Sequence, residues 1–146
     1  MKKILYIIIT VLAFNLNAQH TISGNFSPAK DYTWLIAYRL KSGTQVYIAD
    51  TAIKNGKFSM NIPVDAESGT YRLVYAVPQE EYNFDIIYNG KEDIVLSFNP
   101  ENGAAFNASK ENILLTTYLN ELGKIEQEII EYYNSNKNNK DSFSKI

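Results

Sequence analysis

The chain has 146 residues, with 14 lysines and arginines against 16 aspartates and glutamates, a formal net charge of −2. It has no cysteine and one histidine, His20, which excludes a disulfide, a Cys-x-x-Cys redox pair, a thiolate zinc site, a thiol nucleophile and a multi-histidine metal centre. The charge balance lacks the basic footprint of a nucleic-acid binder, while 45% hydrophobic and 13% aromatic residues suffice for a packed core, in about one domain plus an appendage.

The first segment reads as an address. Met1-Lys2-Lys3 gives a positive start, and Ile4 to Phe14 is apolar apart from Thr10. Those eleven residues are too few to cross a hydrocarbon core, which takes about 20. A charged start, a short apolar run and then Ala18 make a secretory signal peptide over residues 1–18, cleaved near Ala18. No cysteine follows the run, so lipid anchoring is not expected. Without Lys2 and Lys3, 12 basic side chains face 16 acidic ones, a charge of −4 on an exported chain with no second stretch of spanning length. The expected place is the periplasm or cell envelope.

Residues 19–108 read as a β domain. Strand-like runs occupy Gln19 to Phe26, Thr33 to Lys41, Gln45 to Ile53, Lys57 to Ile62, Gly69 to Val77, Tyr82 to Tyr88 and Asp93 to Phe98, with a short edge piece at Ala105 to Asn107. Phe58, Met60 and Ile62 alternate cleanly, as do Tyr71, Leu73, Tyr75 and Val77; that period of two puts each set on one face. Asn55-Gly56 and Asn89-Gly90 are strong hairpin signals, because both residue types accept the positive φ of a type I′ turn. Short strands at this spacing predict an antiparallel β-sandwich of about seven or eight strands. With nothing helical between them, a parallel βαβ topology is not expected.

One amphipathic helix follows, over residues 109–134. Ser109 suits the N-cap, and Glu111 in the first turn opposes the positive end of the dipole. Leu115, Tyr118, Leu122, Ile125, Ile129 and Tyr132 recur at spacings of 3, 4, 3, 4 and 3, a narrow apolar seam. Such a seam packs either on the helix's own sandwich or on another helix, in cis or in a dimer. Residues 135–146 begin with Ser135-Asn136-Lys137-Asn138-Asn139-Lys140 and read as a polar linker or the start of a following region.

Candidate chemistry is sparse. Glu80, Glu81 and Asp85 offer carboxylates for acid–base work, but at a turn and on the polar face of a strand. Asp50 lies within a strand, and His20 lies at a mobile mature N-terminus. No spacing supports a hydrolase built on Asp50, Glu80 or Asp85, so no catalytic, cofactor-binding or metal residue is assigned. Tyr32, Trp34 and Tyr82 are the first candidates for a ligand face, since aromatic platforms stack on sugar rings; strands and cores also take aromatics for their own reasons. A glycan- or cell-wall-binding module is therefore the alternative functional reading. Asp50-Thr51-Ala52 matches the acceptor triplet of an envelope O-glycosylation, with Thr51 the modified residue.

Ile22-Ser23-Gly24, the run from Asp50-Thr51-Ala52 through Asn55-Gly56-Lys57-Phe58, Gly69-Thr70-Tyr71-Arg72-Leu73 and then Asn112 opening a Tyr-containing helix carry a family resemblance. The chain resembles the β-rich domain of unknown function that precedes the thioredoxin-like domain in envelope thiol:disulfide interchange proteins of Bacteroidota-type bacteria. The resemblance spans roughly Thr21 to Tyr133. In that family the redox chemistry sits in a later Cys-x-x-Cys domain, so no catalytic residue carries over to this cysteine-free chain. The resemblance implies a non-catalytic accessory module, without cofactor, that positions, dimerises or presents substrates. Its partner would be a thioredoxin-like domain in cis or in trans, or a second copy through the helix.

Overall fold

Alternation along each strand decides the architecture. A computed structural model describes residues 19–143, with side-chain environments through Asn136; the expected signal peptide at residues 1–18 lies outside the described residues. The strands are β1 (Thr21–Phe26), β2 (Trp34–Lys41), β3 (Thr44–Ala52), β4 (Lys57–Asn61), β5 (Gly69–Val74), β6 (Asn83–Tyr88), β7 (Ile94–Asn99) and β8 (Gly103–Ala108), followed by one helix, α1 (Lys110–Phe143). They form two four-stranded sheets, one ordered β4-β1-β7-β8 and the other β3-β2-β5-β6. The mainly β sandwich with a C-terminal helix is thus the fold.

The core lies between the sheets and is supplied by residues two apart: Leu35 and Ala37 from β2, Phe58 and Met60 from β4, Tyr71 and Leu73 from β5, Leu96 and Phe98 from β7. Burying each large apolar side chain contributes roughly 1.5–3 kcal/mol. Phe26 is an aromatic hub, with its ring centroid 5.1 Å from Tyr32, 5.9 Å from Phe58, 5.3 Å from Tyr75 and 5.6 Å from Phe98. Phe84 and Phe98 stack across the two sheets at 4.0 Å.

Three expectations change. First, β1 pairs in parallel with β7, in the register Ile22↔Ile94 to Phe26↔Phe98, while its other neighbour β4 is antiparallel. A parallel pair needs a long connection; five intervening strands supply it here in place of a helix. Second, the Asn-Gly turns do not close in-sheet hairpins. Asn55 and Gly56 do take positive φ, of 51° and 74°. Beyond a single Lys54↔Lys57 bridge, however, β3 and β4 separate into different sheets, and so do β6 and β7 around Asn89-Gly90. The Gly56 carbonyl accepts the Phe26 N–H at 2.7 Å, which draws the first turn to the end of β1. Asn89 uses its side chain in the loop, Oδ1 accepting from the Lys91 N–H at 2.9 Å. Third, the helix runs past residue 134 to Phe143, through the stretch expected as a linker. Asn and Ser cost under about 0.7 kcal/mol each in a helix interior, and extending an existing helix is far easier than nucleating one.

Gly24 has a specific steric task. A Cβ there would stand 2.0 Å from the Leu96 carbonyl oxygen and 3.1 Å from the Phe58 ring. Only glycine lets β1 lie this close to both neighbours.

Candidate functional site

The carboxylates raised by the sequence are dispersed, and two of them, Asp50 and Asp85, are already paired. Asp85 faces Arg72 across β5 and β6 and accepts two hydrogen bonds from its guanidinium, at 2.8 and 2.9 Å. That bidentate pair holds the arginine's pKa above its ordinary value, and Asp85 serves as its partner. Asp50 accepts the Tyr47 hydroxyl at 2.6 Å, and this bond, with a smaller desolvation effect, raises the tyrosine's pKa. Glu80 and Glu81 are exposed in the turn where the Glu81 and Tyr82 N–H groups donate to the Pro78 carbonyl. Among the described residues no three acidic or histidine side chains are grouped to hold a metal ion.

His20 is not a loose end. Its carbonyl accepts the Ile62 N–H at 2.9 Å, and its Nδ1 lies 3.4 Å from Asp93. Asp93 also accepts the Thr21 N–H at 2.9 Å, and that backbone bond is the main cause of its lowered pKa. Together they fasten the start of β1 to the loop before β7. Thr51 is half-buried, and its hydroxyl donates to the Ser59 carbonyl at 2.9 Å, tying β3 to β4 where the two sheets meet.

The three aromatic candidates do not share a face. Tyr32 and Tyr82 pack at 4.8 and 5.9 Å on the core residue Tyr75. Trp34 alternates with the buried Leu35 and so stands on the outer face of its sheet, where its strand neighbour Ile36 faces Val74. Among the described residues, Trp34 joins no aromatic pair with either tyrosine. A groove beside β3 brings Arg39 and Lys41 near Tyr47. Its arginine is already committed to Glu67 and to the Ser68 carbonyl.

The feature left uncovered among the described residues is the seam of the helix. Among those residues the helix is fixed at its N-terminal end. Asn112, 2% exposed, accepts the Ile87 N–H at 2.8 Å and donates to the Ile87 carbonyl at 2.7 Å. Since β6 is an edge strand, the Asn112 amide occupies the place of a next strand at that residue. Its Nδ2 also donates to Ser109 Oγ at 2.8 Å, and the Ser109 carbonyl accepts the Ile113 N–H at 3.0 Å. Ser109 has a φ of 116°, in the region that favours glycine. These bonds hold the strained cap in place. Glu92 Oε1 accepts the Lys110 N–H at 2.9 Å, adding a negative charge at the dipole's positive end. Sequence reasoning found the Ser109 cap and Glu111 but not the roles of Asn112 and Glu92. The Ser109-x-x-Asn112 spacing does not make a capping box, which takes Glu or Gln at the second place, so nothing local pointed to the first.

Beyond this anchor the helix leaves the sandwich. Every side chain from Thr117 to Asn136 is exposed. The seam residues range from 38% exposure at Leu122 and 40% at Leu115 to 74% at Tyr132. The option that the seam packs on its own sandwich is not what the structure has. Ile87, Leu114, Leu115 and Tyr118 border an open apolar notch where helix and sheet meet. At 1.5 Å per residue the 34-residue helix is about 51 Å long.

No curated protein matches the chain. The model of a domain of unknown function, DUF4369, matches residues 20–140, and the chain belongs to that family.

Proposed function

We propose that this chain is a non-catalytic, exported accessory module of the cell envelope that works by protein contact through α1, serving a thioredoxin-like domain in cis or in trans. The observation that carries this reading is the exposed apolar seam on a helix rigidly capped at the sandwich. Soluble chains rarely leave a contiguous apolar surface of this kind uncovered unless something binds it. The lack of cysteine is compatible with the reading, because any thiol chemistry would belong to the partner. The dispersal of Asp50, Glu80 and Asp85, each exposed or already paired, favours it over a hydrolase. Glycan binding draws less support, since Tyr32 and Tyr82 are packed on Tyr75 and Trp34 stands apart.

Two measurements test it. N-terminal sequencing of the envelope-fraction protein should read from Gln19; an intact Met1 in the cytosol refutes export. The rate of thiol–disulfide exchange by a Cys-x-x-Cys thioredoxin-like envelope protein on a disulfide-bonded protein should change when this chain is added. An unchanged rate, together with a Trp34 fluorescence shift on adding an envelope polysaccharide, replaces this reading with the glycan one.

A further inference from the structure

The seam's flanks identify the chemistry of what covers it. In heptad terms Leu115, Leu122 and Ile129 take one seam position, and Tyr118, Ile125 and Tyr132 take the other. The positions beside them that approach a partner helix carry Glu121, Glu126 and Glu128 together with Leu114, Leu119 and Tyr133, all exposed, with no basic residue among them. From Lys110 to Asn136 the helix holds two lysines against five glutamates. A second copy is a poor occupant. Laid parallel, Glu121 of one helix meets Glu126 of the other. Laid antiparallel in the register that pairs the whole seam, Glu121 meets Glu128 twice. Like charges at these positions oppose association, whereas opposite charges select the partner. An anionic membrane surface is disfavoured by the same glutamates, because interfacial helices use basic polar faces.

Resting on the reading of this chain as a protein-contact module, we propose that α1 docks, along Leu115 to Tyr132, an amphipathic helix of another protein or domain whose apolar stripe is flanked by lysine or arginine. The anchor at Asn112 presents the seam in a fixed orientation and the open notch at Leu114 and Leu115 receives one end of the incoming helix. Glu121, Glu126 and Glu128 set which helices are accepted. The apolar seam supplies the attraction and the glutamates supply the choice.

The test uses the whole mature chain and two synthetic helical peptides of about three heptads. Both carry leucine and isoleucine at the seam; one has lysine at the flanks and the other glutamate. Fluorescence anisotropy should show the lysine peptide binding at least about tenfold tighter, with the gap narrowing at high salt. Glu121→Lys, Glu126→Lys and Glu128→Lys combined should invert the preference. The glutamine versions should abolish it while circular dichroism stays unchanged. Equal binding of both peptides, or binding of neither, overturns the proposal. So does a dimer by light scattering that Leu122→Asp dissociates, or adsorption to anionic vesicles. A dimer would leave the protein-contact reading standing, and its thiol-exchange assay is independent of these peptides.

Discussion

Asn112 completes the edge of β6 by pairing both backbone groups of Ile87, accepting its N–H at 2.8 Å and donating to its carbonyl at 2.7 Å. One side chain thereby closes the edge strand to further pairing at that residue and fixes where the helix starts. Its replacement leaves two backbone groups without partners in a half-buried place. Asn112→Ala should cost about 2–3 kcal/mol of stability. Asn112→Asp should cost as much or more, since a carboxylate cannot donate to the Ile87 carbonyl. Chemical unfolding followed by Trp34 fluorescence measures both, and a loss under about 0.5 kcal/mol would show that the amide is not the anchor.

Gly24 sets how closely β1 and β7 approach. The Leu96 carbonyl oxygen lies 2.0 Å from where a Cβ would stand, so backbone must move to admit one. Gly24→Ala should therefore destabilise by about 3 kcal/mol or more, at the upper end of overpacking costs. Equal unfolding midpoints for the two proteins would contradict this parallel pairing at its closest point.

Tyr71 predicts an alkaline limit. Burial, chiefly, pushes its phenol up to about 12, and its hydroxyl donates to the Glu67 carbonyl at 2.7 Å. The folded state holds this proton after the unfolded chain has lost it. The resulting stabilisation is complete below pH 10 and falls as pH rises from 10 to about 12, by about 1.4 kcal/mol per pH unit. Tyr71→Phe should flatten that decline. Tyrosinate absorbance titrated in folded protein should show phenols that ionise late, because burial also raises Tyr75 and Tyr88, and Tyr71→Phe should remove the latest of them.

The Arg72–Asp85 pair ties β5 to β6 by a bidentate contact between opposite charges. Both side chains are partly exposed, at 30% and 40%. Asp85→Asn should thus cost no more than about 1 kcal/mol, and less as salt is added.

Much of this was legible in the sequence because period-two alternation survives into the structure. Phe58 and Met60, or Tyr71 and Leu73, stand on the faces their spacing gives. The sheet assignments were not legible. Asn55-Gly56 specifies a tight turn locally, but whether the following strand stays in the same sheet depends on contacts far along the chain, such as the Phe26 N–H on the Gly56 carbonyl. The parallel β1–β7 pair joins residues 72 apart, as in Ile22↔Ile94, and leaves no local signature. Asn112 read as a residue near a helix start; its pairing with Ile87 depends on β6 being an edge. The seam was visible from its spacing, whereas its exposure is a tertiary fact.

That exposure leads to the last prediction. If α1 gained stability by packing on the sandwich, charge in its seam would unfold the domain. Every seam residue from Tyr118 to Tyr132 is exposed instead. Ile125→Glu should therefore shift the sandwich's unfolding by less than about 0.5 kcal/mol, as ordinary surface changes do. Leu35→Ala, in the fully buried core, should cost about 2–5 kcal/mol in the same assay. The contrast isolates the seam's role, because a substitution neutral for folding can still abolish docking. A large loss from Ile125→Glu would instead place the seam against the domain's own surface, and the reading of the helix as an outward contact would have to be given up.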